Sequence, residues 1–476
     1  MTNKYLQGHL LGSRQALTLV LLQGAALTLA ACGDPNADDS NQNITEDTST
    51  TKKNSSNEST STASTGATSA GTGGEGGADS EVSSTSATTT AGGAGNQAVN
   101  SNSISGGDNQ TTASSTTGEP LPFVPPTCAE TPDLPATAPQ LSTDTWTNIS
   151  PSNVPFDSSG TSITQGMTID PCNPNTIYVC IGDAESGVYR SMDGGGTWTE
   201  LGDFKFPVRV RVDPRDPLHL YVGAGVRGGG HGFWVSKDGG ANWEMPAGFV
   251  DTIENNGGNY DVYHVEPDPA DFNHVLVTFH GPWSVGDAGI YESFNGGDTW
   301  TIHPPFDGSF SGGDNVFFLY RPSENPEETI GNPQTWLFGS QGTGFFRTTD
   351  SGQNWTQVTD IVMTHGGGAA YYTDAGVLYI ATNNGVLRSE DNGENWTTVY
   401  PSNSYIGLIG DGKHLWTGAH FSAKFLFAPE DNDTNWTEFN SQQFDEGPFE
   451  MAFDPARRIL YSANIRAGVW ALKLAD

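Results

Sequence analysis

Basic side chains are scarce. Lys and Arg together number 20 against 55 Asp and Glu, giving a formal charge of −35 and a pI near 4.3. A surface this acidic repels nucleic acid and anionic lipid headgroups, so no nucleic-acid partner is expected. Cysteine is scarcer still, with four in 476 residues, too few for a disulfide scaffold. Aromatic residues are missing altogether from Gly33 to Pro120, where Ser, Thr, Gly, Asn and Ala dominate. Such a stretch cannot bury enough apolar surface to offset the entropy of ordering, which predicts a disordered tether. At roughly 85 residues, a flexible coil has an r.m.s. reach on the order of 50 Å. The apolar run Ala16 to Ala31 is too short and wrongly flanked for an ordinary membrane span.

That run, preceded by Lys4 and Arg14, reads as a secretory signal. Its end, Leu29-Ala30-Ala31-Cys32, resembles the lipobox of bacterial lipoproteins. The resemblance implies cleavage before Cys32, acylation of Cys32 and attachment to a membrane through that lipid. Gly33 follows, not the Asp associated in some bacteria with inner-membrane retention, so an outer-membrane or cell-surface location is expected. Cys128, Cys172 and Cys180 then remain, and three thiols allow three pairings. A Cys128–Cys172 bridge is the expected one, because both precede turn-like Pro-rich segments while Cys180 sits in an apolar strand. The organisation read from the chain is a signal peptide (1–31), a tether (32–120), a Pro-rich lead-in running along the surface (121–143) and a folded domain (144–476).

One eight-residue pattern governs that domain. It reads SMDGGGTW from Ser191 to Trp198, SKDGGANW to Trp243, SFNGGDTW to Trp300, TTDSGQNW to Trp355 and SEDNGENW to Trp396, with a worn copy, PEDNDTNW, ending at Trp436. Short apolar runs such as Gly187-Val188-Tyr189-Arg190 and Gly385-Val386-Leu387-Arg388 precede most copies, so each unit is strand, tight turn, strand. The third position, Asp193, Asp238, Asn295, Asp350 or Asp391, can accept hydrogen bonds from its own loop, and Gly supplies the positive φ. This S-x-D-x-G-x-T-W pattern resembles the Asp-box (BNR) repeat of sialidases, sortilin-type receptors, xyloglucan-degrading hydrolases and photosystem assembly factors. In those families the boxes are architectural, and the ligand site lies on the opposite face.

Equivalent tryptophans recur at Trp146, Trp198, Trp243, Trp300, Trp355, Trp396 and Trp436, at intervals of roughly 40 to 57 residues. Between them come an apolar strand, an Asp-Pro or similar turn (Asp170-Pro171, Asp213-Pro214, Asp454-Pro455), and a second strand such as Leu220-Tyr221-Val222. A four-stranded unit of this kind cannot bury both faces alone. The seventh unit ends at Gly468-Val469-Trp470 without its last strand, and Asp144-Thr145-Trp146-Thr147 supplies it. The sequence therefore predicts an all-β, seven-bladed β-propeller closed by its N-terminal strand, functioning as a monomer. Closure removes the sheet edges that would promote aggregation.

Candidate functional residues are those that depart from the repeat. At the end of the second strand the blades carry Gly182, Gly225, His280, Gln341, Asn383, His420 and Ile465; near the start of the innermost strand they offer Asp261, Asp314, His365 and Tyr405. Together these predict a polar ring about the axis on the face opposite the boxes. Arg227, His231, His280 and Trp283 sit in the long loops of blades two and three, where Trp283 either stacks on a sugar or folds under its own loop.

Three functions compete. Sialidase activity is not expected, because the F/Y-R-I-P motif that resemblance demands is missing and Arg190, Arg347 and Arg388 occupy one repeated position before the turn; only Arg227 and Arg466 are placed for a ligand. A glycoside hydrolase would use two carboxylates as acid and base. Asp183 and Asp287, each within Gly-Asp-Ala, are the candidates, with Asp251, Asp261 and Asp314. Xyloglucan-degrading members usually join two propellers around a cleft, whereas this chain has one. The third function is a binding or assembly module without chemistry. His280, His365 and His420 could meet Asp314, but no local ligand spacing supports a metal, and no cofactor is expected.

Overall fold

The strands assemble into six four-stranded antiparallel sheets and one three-stranded sheet among the described residues, arranged as the seven blades of a β-propeller. The computed structural model describes residues 123–128, 130–156, 162–183, 185–202, 204–225, 231–256, 260–279, 289–303, 315–364, 367–402, 404–419, 422–441 and 444–475. They lie within one unit, residues 107–476. The innermost strands of blades one to seven are Ser162–Ile169, Pro207–Val212, Val262–Pro267, Asn315–Arg321, Ala370–Tyr372, Tyr405–Gly410 and Pro448–Asp454. None of the described helices is long and apolar enough to cross a membrane. The signal segment, Cys32 and the tether lie outside the described residues.

Ring closure follows the expected register. Trp146–Asn148 is the outermost strand of blade seven and pairs antiparallel with Gly468–Lys473, Trp146 opposite Leu472 and Asn148 opposite Trp470. The Ile149 N–H continues the ladder by donating to Val469 O at 2.9 Å. Trp146 is buried against Phe425 and Phe444, so the first strand also seals the contact with blade six.

The repeated turn has one hydrogen-bond scheme. In blade one, Ser191 Oγ donates to Asp193 Oδ1 (2.8 Å) and accepts from Gly195 N (2.8 Å), while the carboxylate accepts from Thr197 N (2.8 Å) and Thr197 Oγ1 (2.9 Å). The Ser or Thr Oγ donor and the backbone N–H donor to Oδ1 recur around Asp238, Asn295, Asp350 and Asp391, while at Asn295 the side-chain Nδ2 donates to Thr299 Oγ1. Gly195 has φ +97°, and a Cβ there would lie 2.6 Å from Ile149 Cδ1, so glycine lets the turn press on the preceding blade. Indole groups add links between blades: Trp198 Nε1 donates to Ile149 O (2.7 Å) and Trp243 Nε1 to Leu201 O (2.9 Å).

The Asp-Pro turns lie on the same face as these boxes. Gly194 N donates to Asn175 O, Gly239 N to Leu218 O and Gly296 N to Asn273 O, each 2.8–2.9 Å. Their Asp residues cap the turns, as Asp170 does for Cys172 N and Asp213 for Arg215 N, both at 2.9 Å. The lead-in crosses this turn face. Asn175 Nδ2 donates to Asp133 O, Arg215 Nε to Val124 O, and Cys128 is disulfide-bonded to Cys172 with Cα atoms 4.8 Å apart. Cys180 is free and buried.

Blade two departs from the repeat. Its fourth strand is reduced to a single bridge between Val235 and Glu244, and the helix Ala247–Asn256 follows. The segment places Phe249 and Ile253 four residues apart, which puts both on one helical face. They pack beside Phe233, Tyr260 and Trp300, filling the space an outer strand would have covered. Asp251, read as a candidate carboxylate, is an exposed residue of this helix.

Candidate functional site

Strand pairing at the loop face sets the starts of the innermost strands beside the ends of the second strands, with Ser162 opposite Asp183, Asn315 opposite Gly339 and Tyr405 opposite Ala419. Asp183 closes its strand at φ +68°. The Asp261 carboxylate packs over Gly225, where a Cβ would approach Oδ1 to 2.1 Å, so blade two needs glycine beside that acid. His231 and Gln341 are partly buried. Asn383 is tied to the next blade: Ser404 Oγ donates to its Oδ1 (2.8 Å) and Ser404 N to its carbonyl (2.9 Å).

Tyr405 is placed differently from the expected ring. Its side chain is buried with Tyr379, Ala381 and Val386, its ring 5.9 Å from Tyr400, and burial pushes its phenol up to about 12. It packs between blades because strand alternation turns it away from the axis. Its backbone carbonyl accepts from Thr364 Oγ1 at 2.8 Å, so it orders the loop end without presenting its hydroxyl. Arg466 is paired with Glu446 at 3.4 Å. Arg227, His280, Trp283, Asp287, Asp314, His365 and His420 lie outside the described residues.

The axis itself is closed at its loop-face end. Ile163, Val208, Tyr263, Ile406 and Phe449 come from the innermost strands of five blades and pack with Phe206 and Ile465 into one buried cluster. Residues of five different innermost strands meet only at the centre of a ring. The cluster forms an apolar septum at the axis.

Beneath the septum, toward the turn face, lies a charged cluster that sequence reasoning missed. Arg211 Nη2 contacts Glu450 Oε1 at 3.0 Å, and Glu450 Oε2 accepts from Met167 N at 2.8 Å, joining blades two, seven and one. Gly166 makes this approach possible, since a Cβ there would meet Val208 O at 2.5 Å. Arg209 Nε donates to His264 Nδ1 (3.4 Å), and its guanidinium lies 4.7 Å over the Phe449 ring. His264 Nε2 lies 3.3 Å from Glu266 Oε2. The side chains of Arg211, Glu450 and Glu266 keep 17%, 19% and 22% exposure, whereas His264 keeps 2%.

Electrostatics follow from that placement. Burial, reinforced by Arg209 and Arg211, holds His264 well below its ordinary value, so the ring is neutral. Burial raises Glu266 to about 7 despite the opposing pull of Arg211, and Glu450 adds to the rise. Burial lowers Arg209, whereas at Arg211 the same penalty is outweighed by Glu450. The only sequence signal was the alternation in Pro207-Val-Arg-Val-Arg-Val212, which reads equally well as a solvated strand face.

A second network lies on the turn face. Arg190, Arg347 and Arg388 each reach the following blade: Arg190 Nη1 to Gly239 O (2.8 Å), Arg347 Nε to Asn392 O (2.9 Å) and Arg388 Nε to Asp433 Oδ2 (2.7 Å). Blade three has Glu292 at that position. His274 lies between Asp268 Oδ2 (2.8 Å) and Glu292 Oε1 (2.9 Å), and His303 Nε2 reaches Glu292 Oε2 (2.8 Å). Burial opposes the charge on His274, but the two carboxylates prevail and raise it to about 9. Among the described residues no group of His, Cys, Asp and Glu has metal-holding geometry.

Comparison with known proteins places the chain among propellers. A DUF6242 β-propeller domain model matches residues 328–450. The chain is similar to a xyloglucanase from a Paenibacillus species, 26% identical over 355 residues that cover 64% of this chain and 28% of that protein. A xyloglucanase from Hypocrea jecorina is 26% identical over 272 residues, covering 46% of this chain and 30% of that protein. This chain thus spans less than a third of the length of these curated relatives. Among solved structures, a GH74 enzyme from Niastella koreensis superposes with a TM-score of 0.49 and 20% identity, covering 68% of this chain and 53% of that one. YCF48 from Cyanidioschyzon merolae gives 0.47 and 14%, covering 69% and 98%.

Proposed function

We propose that the propeller binds carbohydrate on its loop face, with a xyloglucan-like polysaccharide as ligand and hydrolysis by paired carboxylates as its chemistry. The observation that carries this reading is the similarity over 355 residues to a xyloglucanase. The pattern of five Asp-box copies supports membership of the same broad repeat family. The site chemistry agrees with it. Asp183, Asp261 and Asn383 stand at the loop-face ends of three blades around an apolar septum, and acids and amides beside apolar surface suit sugar hydroxyls and ring faces.

The chain carrying this site is exported and held at a membrane through Cys32, with the propeller facing outward. Labelling with a clickable fatty acid tests that part: Cys32→Ala abolishes incorporation, and persistent labelling contradicts it.

A non-catalytic binding module is the second reading, favoured by Asn383, whose amide, held by Ser404 at a loop-face blade end, can bind hydroxyls but transfers no proton. Affinity electrophoresis of the full chain in xyloglucan gels, run alongside a reducing-sugar assay, separates the possibilities. Retardation with sugar release that Asp183→Asn or Asp287→Asn removes supports hydrolysis. Retardation without release supports binding alone, and no retardation in any glycan gel contradicts the carbohydrate reading.

A further inference from the structure

Exposed large apolar side chains are few among the described residues, and every one lies on the turn face within blades one to three or the lead-in that crosses them. They are Val124 (64% exposed), Met192 (59%), Leu218 (53%), Phe294 (49%) and Leu134 (37%). Met192 and Phe294 fill the second position of the boxes in blades one and three, where blades two, four and five carry Lys237, Thr349 and Glu390. Leu218 is in the Asp-Pro turn of blade two.

These residues are linked into one ridge by contacts within and between the blades. Leu134 rests on Gly194, two residues from Met192, and Leu218 rests on Gly239. Arg190 of blade one donates to Gly239 O of blade two. Arg215, three residues from Leu218, holds Val124 O at 3.0 Å and reaches Pro269 O of blade three at 3.4 Å. Phe294 is stacked on the His274 ring, centroids 4.3 Å apart and planes at 13°, which fixes it in place while half of it faces solvent. Side chains ordered before contact lose little entropy on binding.

Acids flank the ridge. Asp216, Asp271 and Asp298 are exposed beside it in blades two and three, and Arg215 and Lys237 are the exposed cations described there. From this juxtaposition we infer that the turn face of blades one to three is a docking surface for a cationic, apolar-bearing polypeptide segment. Its apolar side chains cover Met192, Leu218 and Phe294, and its Lys or Arg residues meet the flanking carboxylates. The surface is separate from the loop face and does not depend on the carbohydrate reading. An anionic bilayer is disfavoured as occupant by the net charge of −35, and a second copy by the same repulsion.

The test uses the full chain and a fluorescein-labelled 18-residue Lys/Leu amphipathic peptide, followed by anisotropy. The M192S/L218S/F294S variant keeps the net charge unchanged, so general attraction between an acidic protein and a basic peptide is held constant. Replacing these exposed residues leaves the melting temperature near that of wild type, and peptide binding weakens by about tenfold or more. D216N/D271N/D298N keeps the ridge and the turn acceptors, and its binding becomes weaker and less salt-dependent. Equal binding by wild type and the serine variant overturns the inference. So does equal affinity for a Glu/Leu peptide, tighter association with phosphatidylcholine–phosphatidylglycerol vesicles than with the peptide, or self-association of wild type that the serine variant abolishes.

Discussion

Arg211 and Glu450 meet across the centre of the ring at 3.0 Å, joining the second blade to the seventh over the glycine backbone of the first. Glu450 belongs to the innermost strand of blade seven, whose outermost strand is the N-terminal one, so the pair secures the axial edge of the blade that closes the circle. Arg211→Met leaves Glu450 largely buried without its counter-charge and costs about 2–4 kcal/mol in denaturant unfolding. R211M/E450M recovers most of that loss, and a double variant as unstable as the two single losses combined would contradict the pairing.

Glu266 gives the fold a pH dependence of definite sign. Its carboxyl is raised from 4.5 to about 7, so the folded chain keeps a proton that the unfolded chain has released. Its contribution to stability is most favourable below pH 4.5, declines as pH rises, and reaches its least favourable value above about 7. Glu266→Gln flattens this decline and, at pH 8, exceeds wild type by on the order of 1–3 kcal/mol. Parallel urea curves for both proteins from pH 5 to 8 check it.

The His274 network shows the same sign of dependence, displaced to more alkaline pH. His274 is raised from 6.5 to about 9, so its stabilising contribution is complete below pH 6.5 and is lost as pH climbs through 9. Glu292 is held below its ordinary 4.5: burial opposes the shift, but His274 and His303 outweigh it, so its contribution fades as the medium acidifies below that value. His274→Asn costs about 2–3 kcal/mol near pH 7. The gap between the two proteins narrows toward pH 9.5, as unfolding at three pH values would reveal.

In the repeated turn, Asp193→Ala removes the acceptor of Thr197 N, Thr197 Oγ1 and Ser191 Oγ and costs about 1–3 kcal/mol. Asp193→Asn is nearly neutral, because blade three already uses Asn295, whose Oδ1 accepts from Thr299 N and whose Nδ2 donates to Thr299 Oγ1. Gly195→Ala is the more damaging change, combining φ +97° with a clash on Ile149. Thermal melts of the three variants order them.

Much of the architecture was legible because a propeller writes its blade once per repeat. The Trp spacing carried the blade count, and the unfinished seventh unit carried the closure through Trp146. Blade two hid its exchange of an outer strand for the helix Ala247–Asn256, because its box, SKDGGANW, is as regular as its neighbours. Arg209, Arg211 and Glu266 were illegible for a different reason: alternation tells a strand's two sides apart, but only the closed ring shows which side faces the axis. Glu292 was visible as a departure from Arg190, Arg347 and Arg388, yet its partners His274 and His303 emerge only when strands are paired. The backbone positions of Asp183, Asp261 and Asn383 followed from the repeat. The inward packing of Tyr405 did not, since a tyrosine suits a sugar site and a blade interface equally well.

Hydrogen–deuterium exchange of the full chain with a saturating xyloglucan oligosaccharide tests the central proposal most directly. Protection is expected in peptides covering Ser162–Thr164, Gly182–Asp183, Thr382–Asn384 and Ser404–Tyr405, with the boxes from Ser191 to Trp198 and Ser389 to Trp396 unchanged. Protection confined to the boxes and Asp-Pro turns, or exchange unaltered at every peptide, would contradict a carbohydrate site on the loop face.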